Sequence, residues 1–230
     1  MTLKDGSSFI GRINSNKTFN FGKLIFPNGD VYEGNFKENR FEGYGVYLDS
    51  SGGRYEGNWL RNQRNGKGIE MWRDGTLFEG SYFDDKKNGV GKLKFKDGSE
   101  YNGQFINNNM EGEGSYDCPE FKYQGQWHQN QMHGKGKTVW KERKITYLGF
   151  YEEGKKHGLG KMAFADGKIF VGFWSLGKRN GNGIEIDEKG GKSKGFWNNG
   201  EKTMEIKLSE QKNFEQIFAF LDTLKPEAFP

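Results

Sequence analysis

The sequence predicts an all-β protein: an elongated single-layer antiparallel β-meander, a solenoid of β-hairpins, with a short C-terminal capping α-helix. Three observations predict it. Glycines at Gly11, Gly34, Gly57, Gly80, Gly103, Gly125, Gly149, Gly172 and Gly195 recur every 22 to 24 residues. A unit that short cannot enclose its own core, so each must stack on its neighbours. Around these glycines, apolar and polar residues alternate with the period of a strand. Between the alternating segments stand pairs such as Asn28-Gly29 and Asp74-Gly75, which favour tight hairpin turns.

Composition agrees with this reading. The 230 residues are only 33% apolar, yet 16% are aromatic and 36 are glycine. That is poor material for a layered aliphatic core, but 20 Phe, 10 Tyr and 6 Trp at regular spacing bury large areas for little entropy. A net charge of +4, from 35 basic and 31 acidic residues, permits anionic partners without demanding them. One cysteine, Cys118, excludes an intramolecular disulfide and a Cys-based zinc site. The N-terminus has no apolar signal region, and no stretch approaches the roughly 18 apolar residues of a membrane span. The expectation is a soluble, cytoplasmic protein.

The elements follow in order. Residues 1–30 form a degenerate repeat, running from Phe9 and Gly11 through Gly22 to Asn28-Gly29. Residues 31–192 hold seven full repeats, of which Tyr55 to Thr76 is the clearest. There Tyr55, Gly57 and Trp59 alternate with Glu56 and Asn58 as one strand. A polar turn covers 60–65, Gly66-Lys67-Gly68 opens a second strand, and Asp74-Gly75 turns into the next unit. The leading ring is Tyr32, Tyr55, Phe78, Tyr101, Tyr123, Tyr147 or Phe170; four residues on stands Phe36, Trp59, Tyr82, Phe105, Trp127, Tyr151 or Trp174. Glycine in a strand needs a cause: a ring lying over bare backbone, or a bend in the sheet.

Residues 193–208 read as a half repeat and a last strand carrying Met204, Ile206 and Leu208. Residues 209–230 read as a helix with its tail. Ser209 is the expected N-cap, and Phe214, Ile217, Phe218, Leu221 and Leu224 fall on one face before Pro226. The simpler role for that face is a cap on the sheet; the alternative is docking to a partner or a second copy, giving a homodimer.

The pattern Tyr55-Glu56-Gly57-Asn58-Trp59, Gly66-Lys67-Gly68, Asp74-Gly75 resembles the membrane occupation and recognition nexus, or MORN, repeat, over about 190 residues. Departures are local. Leu148 and Val171 replace the acidic residue after the ring, and Cys118-Pro119-Glu120 stands where Asp-Gly belongs. The resemblance implies an antiparallel sheet acting as a scaffold. Such arrays occur in radial spoke heads and other ciliary or cytoskeletal proteins, in junctophilins, and beside catalytic domains in some kinases and methyltransferases. A short helical tail resembles the stand-alone cytoskeletal members. The implied location is therefore the cytoskeleton, in particular the axoneme of a cilium or flagellum.

Catalytic signals are weak. Gly-x-Gly opens a strand and recurs seven times, unlike a nucleotide fingerprint. His128, His133 and His157 lie in turns, and two histidines in one turn do not make a zinc site. The acidic column Glu33, Glu56, Glu79 recurs and then stops, which suits cross-strand pairing with lysines better than catalysis. The reading is a non-enzymatic protein with no cofactor and no metal. Nucleic acid is not expected, because the rings are needed for stacking.

Two surfaces remain for partners. A single-layer sheet cannot bury one face against itself, so the second-column rings Phe36, Trp59, Tyr82, Phe105, Trp127, Tyr151 and Trp174 are expected along a concave groove that binds segments of other proteins in a cytoskeletal or axonemal complex. Basic residues precede the glycine pairs: Lys86, Lys87, Lys155, Lys156, Lys178 and Arg179. Their edge would contact anionic phospholipid in a peripheral membrane adaptor, or stay solvated and discourage aggregation. A regulatory array for a separately encoded enzyme is the third reading.

Overall fold

The computed structural model describes residues 1–16, 18–207 and 214–223, the last segment without the side chains of residues 221 and 222. Ser209, Leu208, Leu224 and the side chain of Leu221 therefore lie outside the described residues. Two compact units form, Met1–Asn109 and Met110–Pro230. The first carries β1 (Ser8–Ile13), β2 (Phe19–Ile25), β3 (Val31–Lys37), β4 (Arg40–Leu48), β5 (Arg54–Leu60), β6 (Gln63–Met71), β7 (Leu77–Phe83), β8 (Lys86–Lys94) and β9 (Glu100–Ile106). The second carries β10 (Asn109–Asp117), β11 (Phe121–His128), β12 (Gln131–Trp140), β13 (Ile145–Glu152), β14 (Lys155–Ala163), β15 (Ile169–Ser175), β16 (Lys178–Ile186), β17 (Lys192–Asn198), β18 (Glu201–Ile206) and the helix α1 (Glu215–Thr223). Within each unit every strand pairs antiparallel with the next in sequence, as an open single-layer meander.

Register explains the glycines. Gly34 faces Gly45, Gly45 faces Gly57, Gly57 faces Gly68 and Gly68 faces Gly80, so bare backbone runs as a line across the strands. A Cβ on Gly45 would sit 2.3 Å from the Tyr32 hydroxyl, and one on Gly34 only 2.5 Å from the Cα of Gly45. Both causes expected of the column operate: the ring lies on the backbone, and the strands bend. Each ring-bearing strand shifts register just past its glycine, between Gly34 and Phe36 and between Gly57 and Trp59. Such a bulge sharpens the bend. The ring hydroxyl then reaches the bulge: Tyr32 Oη donates to the Asn35 carbonyl at 2.8 Å, and Tyr123 Oη to that of Gln126 at 2.8 Å.

The turns are arranged differently from the sequence reading. The tightest one lies inside the repeat, where 60–65 was expected to be a longer polar turn. Arg61 and Asn62 both have positive φ, as do Asp84 and Asp85, and Asn107 and Asn108. That is the two-residue hairpin geometry that follows the strand twist, and it starts the second strand at Gln63, before the glycine pair. Asp74-Gly75 instead belongs to a wider loop. Trp72 N bonds Thr76 O at 2.9 Å, Gly75 alone takes φ +88°, and Asp74 accepts from Thr76 N at 2.9 Å. Successive tight turns also bond to one another. Asn62 N donates to Phe41 O at 3.1 Å while its side-chain oxygen accepts from Phe41 N at 2.7 Å, and Asp85 treats Arg64 alike.

The helix α1 does not sit over the edge of the last strand. Phe214, Ile217 and Phe220 are buried with Val171 and Ile184, against Phe150, Leu159 and Phe173, on the face opposite the rings. Leu148 and Val171, the departures from the acidic column, thus belong to an apolar change on β13 and β15, with Val171 under the helix. Asn35, Asn58 and Ser81 of the first unit likewise correspond to Phe150 and Phe173 here. Two details differ from expectation. Phe218 is 37% exposed, and Phe220, absent from the expected face, is buried. The seat selects the stripe 214–217–220 at i, i+3, i+6, which turns Phe218 to the side.

Gly136→Val should lower stability by roughly 3 kcal/mol, because its Cβ would stand 2.5 Å from the Tyr123 ring. Gly75→Ala, with nothing within 4 Å of its Cβ but φ +88°, should cost about 1 kcal/mol for conformation alone. Urea unfolding of the two variants reads the difference between close approach and backbone strain.

Candidate functional site

The rings close on themselves. Each leading ring meets the second ring of its own strand edge-on, as in Tyr55–Trp59 (5.0 Å between centroids, 85°) and Tyr147–Tyr151 (5.2 Å, 85°). It meets the second ring of the next repeat in the same way, as in Tyr55–Tyr82 (5.3 Å, 87°) and Tyr147–Trp174 (5.4 Å, 85°). The indoles of Trp59 and Trp174 also donate to the carbonyls of Gly45 and Gly160. Consequently Phe36, Trp59, Tyr82, Phe105, Trp127, Tyr151 and Trp174 are buried, none more than 7% exposed. They do not form the walls of a continuous open groove, although Trp59 and Tyr151 each border a pocket. Bending at each bulge folds the second ring back over the leading ring, so the sheet buries its own face.

A third column, missed in the sequence, covers the leading rings at five of its seven positions. It stands nine residues after the ring and reads Phe41, Arg64, Lys87, Met110, Met132, Lys156, Arg179. Phe41 stacks flat on Tyr32 at 3.7 Å. Arg64 lies 5.7 Å from the Tyr55 centroid, Lys87 5.2 Å from Phe78, Lys156 5.6 Å from Tyr147 and Arg179 4.5 Å from Phe170. All are within cation–π range. The signal was present, since every member is flat or long enough to reach across a ring.

This column splits the expected basic edge in two. Lys86, Lys155 and Lys178 point outward and are exposed, whereas Lys87, Lys156 and Arg179, one residue on, turn inward. Three inward cations are held by carboxylates. Arg64 Nη1 is 2.5 Å from Glu70 and its Nε 3.2 Å from Asp85; Lys87 Nζ is 3.6 Å from Glu70; Arg179 Nη1 is 2.8 Å from Glu185. Burial lowers the Lys87 ammonium below its usual range, opposed by Glu70. For Arg64 the attraction of Glu70 and Asp85 outweighs burial, and its pKa is raised. Lys156 is different. Burial, and then the charge of Arg179, lower it to about 8.

On the outer face of the first unit, a groove of about 630 Å³ crosses Gly57, Gly68, Gly80 and Gly91. Tyr44 (53% exposed) and Val90 (58%) stand in it beside Ile69, with Glu56, Glu79 and Lys92 around them. Of the acidic column, Glu33 pairs with Lys23 of the neighbouring strand at 3.0 Å, and Glu56 bonds Arg54 and Tyr44. His128 lies 2.8 Å from Glu111 and 5.6 Å, ring to ring, from His133. His157 lies 3.0 Å from Glu152. Cys118 is buried at its turn, and burial raises its thiol pKa. No cluster of three potential metal ligands occurs among the described residues, and no described helix is long and apolar enough to cross a membrane.

Fold and surfaces define an all-β repeat module of the protein-interaction or membrane-associated kind, a non-enzymatic type of repeat. The chain belongs to the MORN-repeat family: the MORN repeat matches residues 11–31, 32–54, 55–77, 78–100, 101–120, 123–142, 147–169 and 170–192, so the degenerate N-terminal copy is matched as well. No curated protein matches the chain. Among solved structures it is similar to the TCP domain of SAS-4 (dCPAP) of Drosophila melanogaster in complex with a proline-rich motif of Ana2 (dSTIL), at 14% identity over 83% of this chain and 90% of that one, with a TM-score of 0.34. A streptogramin B lyase matches at 8% identity, 86% and 81% coverage and TM-score 0.20. BamB from Moraxella catarrhalis matches at 9% identity, 90% and 87% coverage and TM-score 0.19. None of these superposes closely enough to bear on function.

Because Lys156 gives up its proton more readily folded than unfolded, the charged form weakens the fold below pH 8, and the penalty fades as pH rises towards 10.5. Lys156→Met should therefore gain stability over the parent at pH 7 and lose that advantage by pH 10.5. Denaturant unfolding of both at pH 7, 9 and 10.5 tests this, and a constant difference would contradict the buried charge.

Proposed function

We propose that this protein is a non-enzymatic scaffold that binds segments of partner proteins, as a component of a ciliary axonemal (radial-spoke-like) or other cytoskeletal assembly. The observation that carries the binding mode is the seat of α1. On the second unit, the outer face already holds an amphipathic helix, against Val171, Ile184 and their neighbours. On the first unit the same face carries an open, glycine-floored groove with Tyr44, Ile69 and Val90 exposed. Exposed apolar side chains in a groove with a polar rim suit a helix or extended segment. This moves the partner surface from the second-column rings, which the sheet uses itself, to its outer face. The cytoskeletal setting rests on the family and on the short helix that follows the repeats.

The test is affinity capture of the tagged full-length protein from its native cells, with mass spectrometry. Cytoskeletal or axonemal proteins should be recovered, and Tyr44→Asp with Val90→Asp should reduce them at least fivefold at unchanged thermal stability. Lys86→Glu and Lys178→Glu together should leave recovery intact. Recovery with membranes alone, abolished by those two charge reversals, would replace the scaffold with an anionic-lipid adaptor.

A further inference from the structure

One carboxylate of the first unit, Glu70, has a counterpart in the second unit that carries no acid. Glu70 lies under two inward cations of the first unit. Its Oε2 accepts from Tyr82 Oη at 2.8 Å and stands 3.6 Å from Lys87 Nζ. Counting from the leading rings Phe78 and Tyr147, Tyr82 corresponds to Tyr151 and Lys87 to Lys156. Glu70, opposite Phe78 in register, corresponds to Thr138, opposite Tyr147. The triad Glu70–Tyr82–Lys87 thus becomes Thr138–Tyr151–Lys156, with the carboxylate gone.

The other two sources of carboxylate are missing as well. Arg64 and Arg179 each pair with a glutamate six residues on, Glu70 and Glu185. Lys156 finds Met162 there, its Nζ 3.8 Å from the thioether sulfur. Arg64 also takes Asp85 from the next tight turn. The corresponding residue for Lys156 is Gly177, whose backbone N–H still bonds the Lys156 carbonyl at 3.0 Å but which offers no acid. No ion pair between Lys156 and a carboxylate occurs among the described residues. Nearby charges do not help: Arg179 repels it, and the exposed Lys155 adds a second positive charge.

What lies at this place is a cavity of about 220 Å³, lined by Thr138, Trp140, Tyr151, Lys156 and the exposed Lys155 and opening beside Gly154 and Gly177. Neither glycine would meet an atom within 4 Å of an added Cβ, so the mouth is clear. Inside, the Thr138 and Tyr151 hydroxyls bond each other at 2.5 Å. One proton serves that bond, which leaves one hydroxyl able to donate to a second acceptor. Nζ of Lys156 is 4.2 Å from the Trp174 centroid and 5.6 Å from that of Trp140. The site therefore presents the inward ammonium of Lys156 and one hydroxyl donor behind apolar walls, with the exposed Lys155 also lining it.

We infer that this cavity receives the carboxylate of an aspartate or glutamate side chain from a partner polypeptide, in the place that Glu70 fills from within in the first unit. A glutamate brings two methylenes for the ring walls and two oxygens for Lys156 and the hydroxyl pair. A phosphate has no apolar stem to lie against those walls. The polypeptide source of the acid rests on the scaffold reading. That reading is tested separately by the outer-groove variants, so the two failures are told apart.

The experiment follows the 13Cε NMR signal of Lys156 in the full-length protein, assigned through Lys156→Arg. The probes are blocked hexaglutamate, blocked hexaglutamine, inorganic phosphate, and phosphatidylserine–phosphatidylcholine vesicles. Hexaglutamate should shift the signal saturably and hexaglutamine should not. Thr138→Glu, which restores the Glu70 position, should weaken hexaglutamate binding at least tenfold. Met162→Glu, at a less buried site and spaced like Arg179–Glu185, should do the same and guards against a folding defect in the first variant. An unmoved Lys156 signal, or hexaglutamate affinity unchanged in a folded Met162→Glu, would overturn the inference. So would phosphate or vesicles shifting the signal as far as hexaglutamate.

Discussion

The rest of the structure depends on one fit: an aromatic ring laid flat over two glycines that face each other on neighbouring strands. The missing Cβ atoms let ring and backbone approach, and the crowding of the two strands at that point produces the bend. The bend then brings the second ring edge-on to the first. Each such edge-to-face pair contributes about 0.5–1.5 kcal/mol beyond area burial, and a leading ring has two of them. Tyr32, Tyr55, Tyr123 and Tyr147 add a hydroxyl bond to the bulged carbonyl three residues on. A single layer with few aliphatic residues is thereby given a core.

The free side of each leading ring still needs cover, and the chain uses whatever reaches it. A flat phenyl does so in Phe41, while Met110 and Met132 occupy the same column with thioethers. Cations do so elsewhere. A cation over a ring is attracted by the π face yet loses its water, so a carboxylate nearby stabilises it. Glu70 serves Arg64, Lys87 and the Tyr82 hydroxyl together. The cover is where repeats stop being equivalent, and differences of function between them belong there.

The sheet, its strand order and the ring and glycine columns were legible because each recurs at a fixed interval, and a recurring residue identifies a recurring place. The length of the tight turn was not legible. Arg61-Asn62 and Asp84-Asp85 reach positive φ without glycine, and only the pairing of the flanking strands demands it. The burial of Trp59, Trp127 and Trp174 was hidden for a related reason: alternation tells which face a ring is on, but not that a bulge folds it inward. The inward cations were read as one surface edge with their neighbours, since adjacent lysines look alike until the pleat separates them. Leu148 and Val171 were visible as departures, yet their meaning required knowing where α1 lies. Phe220 for Phe218 is the same lesson, because the seat decides which stripe of a short helix is buried.

The seat of α1 also has a consequence for synthesis. Phe150, Leu159, Val171 and Phe173 are made before the segment that covers them, with Phe220 arriving 47 residues after Phe173. At ordinary ribosomal speeds that interval is a few seconds. The repeats need only their immediate neighbours, so the apolar outer face of the second unit is able to form before its helix exists. During those seconds it is an adhesive surface on a nascent chain, open to a chaperone or to a neighbouring chain on the same message. Any cleavage between β18 and α1 would return the finished protein to that state.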